Sequence, residues 1–119
     1  MKKALFPFIL MSCAIFSFAK EPSSSKEWPA GAIRNGTLGN PTLVHDAMLA
    51  ARGQATVMGC DQVKDGHFFV KKDVSGKPGE RVWEEIWQFQ CTNGNYNVEM
   101  EFMESKQGGV TFRAAPEGK

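Results

Sequence analysis

Apolar and polar residues alternate along the chain from Trp83 to Cys91. The apolar positions of this alternation predict the buried face of a strand: Trp83, Trp87, Phe89 and Cys91. Asn93-Gly94 follows, and this dipeptide favours a two-residue hairpin loop because both residues accept positive φ. The pattern therefore predicts an antiparallel hairpin whose second strand runs to Glu104.

The register of this hairpin follows if Asn93 and Gly94 are its two loop residues. That placement pairs apolar residues on the buried face: Cys91 with Tyr96, Phe89 with Val98, and Trp87 with Met100. A second turn at residues 105–109, with Glu104 facing Val110, brings Phe102 opposite Phe112. Turn chemistry and side-chain pattern thus predict one three-stranded meander.

A helix is predicted before the strands. Asn40 is suited to the N-cap and Pro41 to the first helical position, where its missing N–H costs nothing. Gly53, after Arg52, is predicted to end the helix as its C′ residue. Five apolar residues share one face of this helix: Leu43, Val44, Ala47, Met48 and Ala51.

Two shorter strands are predicted between the helix and the meander, over residues 55–60 and 66–70, with a turn at Asp65-Gly66. Residues 71–80 are polar and rich in glycine, so we expect a long mobile loop there. The assembled elements predict an α+β fold, with one N-terminal helix packed on a curled antiparallel meander sheet of about four to five strands. This arrangement is cystatin-like by analogy.

The first nineteen residues predict a signal peptide. Lys2 and Lys3 precede an apolar run over residues 4–18, and Ala19 ends a small-x-small cleavage site. A membrane-spanning helix needs about 20 apolar residues, whereas this run has fifteen and contains Pro7. We therefore expect cleavage near Ala19 and a periplasmic or secreted protein.

The rest of the chain divides into two parts. Residues 20–39 are rich in Pro, Ser and Gly and predict a mobile leader with one short edge strand around 32–38, and residues 40–119 form a single α+β domain. An alternative for the N-terminus is a lipoprotein signal, in which Cys13 is lipidated and anchors the domain to a membrane.

Net charge argues against two classes of partner. Removal of Lys2 and Lys3 leaves twelve basic against thirteen acidic residues, a balance of −1. Nucleic acids and anionic membranes both favour clustered Lys and Arg, so we expect no nucleic-acid partner, and a membrane partner only if Cys13 carries a lipid. The oligomeric state is left open by the sequence.

Export also determines the expected oxidation state of the cysteines. With Cys13 removed in the signal, Cys60 and Cys91 are the remaining pair, and two cysteines in an oxidising compartment usually form a disulfide. A zinc site built from Cys60, Asp61, His67 and Cys91 is the competing interpretation. Oxidation of both thiols removes its ligands, so we expect no metal and no cofactor.

Enzyme motifs are not found in the sequence: it has no Gly-x-Ser-x-Gly elbow, phosphate-binding glycine loop, His-Glu-x-x-His pair or Cys-x-x-Cys. We therefore expect a non-enzymatic protein with no catalytic residues. The alternative is an enzyme or metal-binding protein with a site between helix and sheet that involves His45 or His67.

Partner-binding candidates come from the outward face of the hairpin and from two tryptophans. The outward residues are polar or acidic: Glu84, Gln88, Gln90, Asn97, Glu99 and Glu101. Residues 82–105 contain no Lys or Arg, so this face predicts an acidic docking surface for a cationic partner, with an ordinary solvated face as the alternative. Trp28 in the leader and Trp83 at the outer end of its strand are further candidates for a partner contact.

The segment Glu85-Ile86-Trp87-Gln88-Phe89-Gln90-Cys91, followed by Asn93-Gly94, resembles the end of small single-disulfide periplasmic proteins of Gram-negative bacteria. Where those proteins have glycine directly after the second cysteine, this chain has Thr92. The resemblance implies an envelope location and no catalytic residues. We expect a small exported binding protein of the inhibitor, immunity or envelope-accessory type, whose partner is another protein or an envelope ligand.

Overall fold

The computed structural model describes residues 28–117, in which one helix packs on a five-stranded antiparallel sheet. The elements are β1 (Arg34–Asn35), α1 (Pro41–Met58), β2 (Val63–Ser75), β3 (Val82–Cys91), β4 (Gly94–Glu104) and β5 (Val110–Pro116). The strands lie in chain order across the sheet. The predicted α+β fold is confirmed, whereas the predicted signal peptide and the lipidation site Cys13 lie outside the described residues.

Helix α1 begins as predicted and ends later. The side chain of Asn40 accepts a hydrogen bond from the Leu43 N–H at 2.8 Å, and Pro41 is the first helical residue. The predicted end at Gly53 is wrong, and so is the strand predicted over 55–60, because Ala55 continues the buried apolar face to the next turn. The helix ends instead at Gly59, whose φ of 126° favours glycine.

Strand β2 is one long strand where the sequence predicts a short strand between a turn and a loop. The turn predicted at Asp65-Gly66 is wrong, since residues 63–75 belong to β2. The loop predicted over residues 71–80 begins later, because it is confined to the residues between Ser75 and Val82. Register shifts against β3 occur between Val63 and Asp65 and again on either side of Lys72. These irregularities interrupt the alternation of side chains, and that is why the sequence pattern does not reveal the whole strand.

The hairpin between β3 and β4 differs from the prediction by two residues. Cys91 faces Gly94, so the loop residues are Thr92 and Asn93. The Asn93 side chain donates to the Gly59 carbonyl at 2.8 Å and accepts from the Asp61 N–H at 3.4 Å. These tertiary bonds explain the position of the turn.

A shift of two residues leaves every side chain on the face that the alternation predicts. Trp87 therefore faces Val98 and Trp83 faces Phe102, all buried against the helix. The predicted pairing of Phe102 with Phe112 in β4 and β5 is confirmed.

The core lies between α1 and one sheet face, here called the inner face. α1 packs mainly over β5 and β4. The buried residues include three alanines of the helix and five large side chains of the sheet: Ala47, Ala51, Ala55, Trp87, Phe89, Val98, Met100 and Phe102. The opposite side of the sheet, the outer face, carries Glu84, Ile86 and Gln88 of β3.

The sheet has two unlike ends. At the disulfide end, the predicted bond between Cys60 and Cys91 is confirmed and links the segment after α1 to the end of β3, with 5.7 Å between the Cα atoms. At the open end, α1 begins, β2 and β4 finish, and β3 starts with Val82 and Trp83. No disulfide links the elements at this second end within residues 28–117.

Candidate binding site at the open end of the sheet

Trp83 lies between two cavities at the open end. The outer cavity, of about 310 Å³, opens on the outer face beside the cross-strand pair Val82 and Met103. The inner cavity, of about 210 Å³, lies between the start of α1 and the inner face, beside Leu43. The Trp83 ring stacks on Phe102, with 5.1 Å between ring centroids, and Trp83 is a lining residue of both cavities.

The structure brings three of the predicted partner-binding residues to the outer cavity. Trp83, Glu84 and Glu101 all line it. Gln88 and Glu99 lie further along the outer face, where Gln88 is buried within the sheet. The four polar residues therefore share the outer face, whereas the Trp83 side chain packs on the inner face, and the predicted residues do not form one cluster.

Trp28 contacts the outer face in the part of the leader that the structure describes. Its ring lies 5.4 Å from that of Phe69, whose cross-strand neighbour Ile86 also belongs to the outer face. The side chain remains 54% exposed. Trp28 is thus both a cover for Phe69 and an accessible aromatic surface.

The glutamates of the outer face are paired with basic residues from strands outside the hairpin. Lys71 of β2 donates to Glu99 at 2.8 Å and lies 3.8 Å from Glu84, and the hydrogen bond with Glu99 raises the Lys71 pKa. Arg113 of β5 donates to Glu101. The expectation of an acidic surface without basic residues therefore does not hold, because it considered the hairpin without its neighbouring strands.

Glu85 is a buried carboxylate on the inner face that sequence reasoning missed as a functional residue. Its Oε2 accepts from the Trp83 indole N–H at 2.9 Å, and its Oε1 accepts from the Trp87 indole N–H at 2.7 Å. The leader supplies two more donors, the Thr37 hydroxyl at 2.8 Å to Oε1 and the Leu38 N–H at 2.9 Å to Oε2. The sequence signal was an acidic residue at an inward position between two tryptophans.

Four donors fill the acceptor positions of one carboxylate, which offers about four lone-pair directions. Glu85 therefore ties the leader to the sheet and fixes the orientation of both indole rings. In this arrangement it has no oxygen directed toward a substrate, so it acts as a structural group.

Glu104 links the loop between β2 and β3 to the end of β4 at the open end. Its Oε1 accepts from the backbone N–H groups of Gly79 and Arg81 at 2.8 and 3.1 Å, while the Arg81 guanidinium binds both carboxylate oxygens. The Arg81 side chain is the main cause that lowers the Glu104 pKa from 4.5 to about 2, with its backbone N–H next. The loop between β2 and β3 is thereby fastened to the end of β4.

The two histidines lie outside the space between helix and sheet. The His45 side chain is 90% exposed on the outer surface of α1, and His67 lies on the outer face, 3.6 Å from Asp65 and opposite Gln88. Cys60 and Cys91 are joined in the disulfide and offer no thiolate to a metal. Within the described residues, no group of three or more His, Cys, Asp or Glu is arranged to hold a metal ion.

Comparison of the chain with protein families, with curated proteins and with solved structures finds no match. Across residues 28–117, no helix has the length and apolar character needed to cross a membrane.

Proposed function

We propose that the protein is a small exported binding protein without enzymatic activity, of the inhibitor, immunity or envelope-accessory type, which engages another protein through the open end of its sheet. The observation that carries this proposal is the pair Val82 and Met103. They face each other across β3 and β4 and remain 40% and 43% exposed at the mouth of the outer cavity.

The surroundings of this pair match the organisation of a protein interface. Lys72 lies 3.6 Å from Glu84 on one side, and Arg113 binds Glu101 on the other. Protein interfaces commonly have an apolar centre and a polar rim. Because charges of both signs form the rim, the apolar centre rather than net charge is expected to select the partner.

Catalysis is a weaker interpretation of the same end. Glu104 lines the inner cavity, Glu85 binds its lining residues Leu38 and Trp83, and each carboxylate is engaged by several donors. A general acid or base must reach the reacting atom by a hydrogen bond. The donors already bound to each carboxylate compete with a reacting group, which favours binding over acid–base chemistry.

The test is capture of a partner from envelope extract by tagged protein. Val82→Glu places a charge in the apolar centre of the open end. Val57→Glu makes the same replacement on α1 at the disulfide end, where Val57 is 81% exposed, and serves as the matched control. Both variants are first checked for an unchanged thermal midpoint.

We expect the wild type and Val57→Glu to recover the same protein in equal amount, and Val82→Glu to lose it. Equal recovery of the partner by all three proteins would rule out the open end as the binding site. Loss of the partner with Val57→Glu alone would indicate that the interface lies on α1.

Export is tested separately by the intact mass of the protein recovered from the cell envelope, with and without reductant. We expect the mass of the chain from Lys20 onward, and a gain of about two mass units on reduction of the single disulfide. An added acyl mass on a chain that begins at Cys13 would establish the lipoprotein alternative instead.

A further inference from the structure

We propose that the free edge of β5 pairs with the same edge of a second copy of this chain, so that the two sheets join into one antiparallel sheet across a two-fold axis. This dimer is independent of the proposed function, because it uses the edge of the sheet and not its open end. Three features support it: the backbone of β5, the contrast with the opposite edge, and the side chains that β5 leaves partly exposed.

The backbone groups of β5 point alternately toward β4 and toward the free edge. In the turn before β5, the Ser105 N–H donates to the Gly109 carbonyl at 3.0 Å, and Val110 belongs to the next cross-strand pair. Hydrogen-bonded and non-hydrogen-bonded pairs alternate along an antiparallel ladder. The N–H and C=O groups that point away from β4 are therefore those of Val110, Phe112 and Ala114.

No strand covers this edge within residues 28–117, because β5 is the last strand of the sheet. Its pairing with β4 runs through all 7 residues without a register shift. A row of unpaired backbone donors and acceptors on a regular strand pairs with another extended chain segment, and this fixes the chemistry of the occupant. Pro116, which has no N–H, ends the row after Ala114.

The opposite edge of the sheet is protected against such pairing. β1 covers β2 at Phe69 and Val70, and the register of β2 is interrupted on either side of Lys72. Asp73, the next residue of β2, binds Arg34 of β1. Covering strands, charges and bulges are the means by which edge strands avoid other chains. Within the described part of the chain, one edge therefore remains available, and pairing of two such edges leaves none for a third copy.

The side chains of β5 favour the addition of a strand at the same place. Phe112 and Ala114 lie on the inner face and are only partly buried, whereas their cross-strand neighbours in β4, Phe102 and Met100, are fully buried. A strand added to this edge would cover the apolar side chains that α1 and β4 leave partly exposed. Apolar cross-strand pairs of this kind stabilise a sheet.

A two-fold axis at Phe112 gives the register that this edge favours. It places Phe112 opposite its own copy and Val110 opposite Ala114, so that each outward N–H meets an outward carbonyl and apolar residues face one another. On the outer face, Arg113 then lies opposite Thr111 and keeps the ion pair within its own molecule. An axis at Arg113 would instead place two like charges directly opposite each other, which is unfavourable.

The experiment measures the mass of the protein in solution by analytical ultracentrifugation from about 5 to 500 µM, a range that suits a small interface. Ala114→Pro removes one outward N–H and no bond to β4, and proline is tolerated at such positions of an edge strand. Ala114→Val has a similar volume, keeps the N–H and is the matched control. We expect the wild type and Ala114→Val to dimerise, and Ala114→Pro to dimerise about tenfold more weakly or not at all.

Hydrogen exchange of the wild type locates the dimer contact without any variant. We expect the N–H groups of Phe112 and Ala114 to exchange more slowly as the protein concentration rises. Those of Thr111 and Arg113, which bond to β4, should be protected at every concentration. A dimer through another surface would not produce this alternation along β5.

Three results would overturn the inference: a monomer at every concentration, equal dimerisation by Ala114→Pro and Ala114→Val, or exchange at Phe112 and Ala114 that does not change with concentration. If Ala114→Pro does not fold, the exchange measurement decides. Partner capture by Val82→Glu is a separate readout. Loss of capture in a monomeric protein would refute the dimer alone, whereas equal capture in a dimeric protein would refute the proposed function alone.

Discussion

Different interactions link the chain segments at the disulfide end and at the open end. At the disulfide end, the Cys60–Cys91 bond and the Asn93 side chain link the end of α1 to the hairpin, and Gly59 packs so closely on Tyr96 that an added Cβ would lie 3.2 Å from its hydroxyl. The open end has no covalent link. There, the carboxylates of Glu85 and Glu104 join the leader and the loop after β2 to the sheet.

The proposed function assigns stability to one end of this small domain and binding to the other. A covalent link at one end restrains the chain without requiring a large core, which a domain of this size lacks. The other end can then leave apolar side chains and two cavities accessible.

The largest expected effect comes from removal of the disulfide. Closure of a loop between residues 31 apart contributes roughly 3 to 4 kcal/mol by the chain-entropy model. The double variant Cys60→Ala and Cys91→Ala should lose about this free energy of unfolding, as measured by denaturant titration. A loss below about 1 kcal/mol would mean that the bond at this end contributes little, and the contrast between the ends would fail.

The next effect concerns the buried carboxylate at the open end. Glu85→Gln keeps the shape but directs an amide group at donors that need an acceptor, which should cost about 1 to 3 kcal/mol. Glu84→Gln at the adjacent, ion-paired position is the control and should cost under about 1 kcal/mol. Equal losses for the two variants would contradict the role of Glu85.

The smallest effect is a pH dependence at the rim of the open end. The Glu104 pKa falls from 4.5 to about 2 on folding, so its contribution to stability is fully present above pH 4.5 and is lost as the pH falls toward 2. Thermal midpoints of the wild type and Glu104→Gln should therefore differ at pH 6 and converge near pH 2. A difference in thermal midpoint that stays constant over this range would show that ionisation of Glu104 does not stabilise the open end.

Local signals predicted those parts of the fold that depend on short-range chemistry. The Asn40-Pro41 start of α1 and the pairing of Phe102 with Phe112 both follow from caps and alternation. The end of α1 does not follow from such local signals. Gly53 lies on an exposed surface where an added Cβ would meet nothing within 4 Å, so no packing requires the helix to end there. The helix continues past Gly53 because its buried apolar face extends to Ala55.

The candidate site was harder to predict because tertiary contacts define it. Alternation placed Glu84 and Glu101 on the outer face, but not Lys71 and Arg113, which reach them from neighbouring strands. The inner cavity requires the start of α1, the leader and four strands to meet. Glu85 was readable as an acidic residue in an apolar pattern, yet its four donors come from both the strand itself and the leader.

The central claim is that partners bind at the open end and not at the disulfide end. Its most direct test introduces a benzophenone amino acid in place of Met103 in one protein and in place of Val57 in another, followed by irradiation in the cell envelope. We predict a covalent partner adduct from position 103 and none from position 57. An adduct of the same mass from position 57 alone, or equal adducts from both positions, would contradict the account.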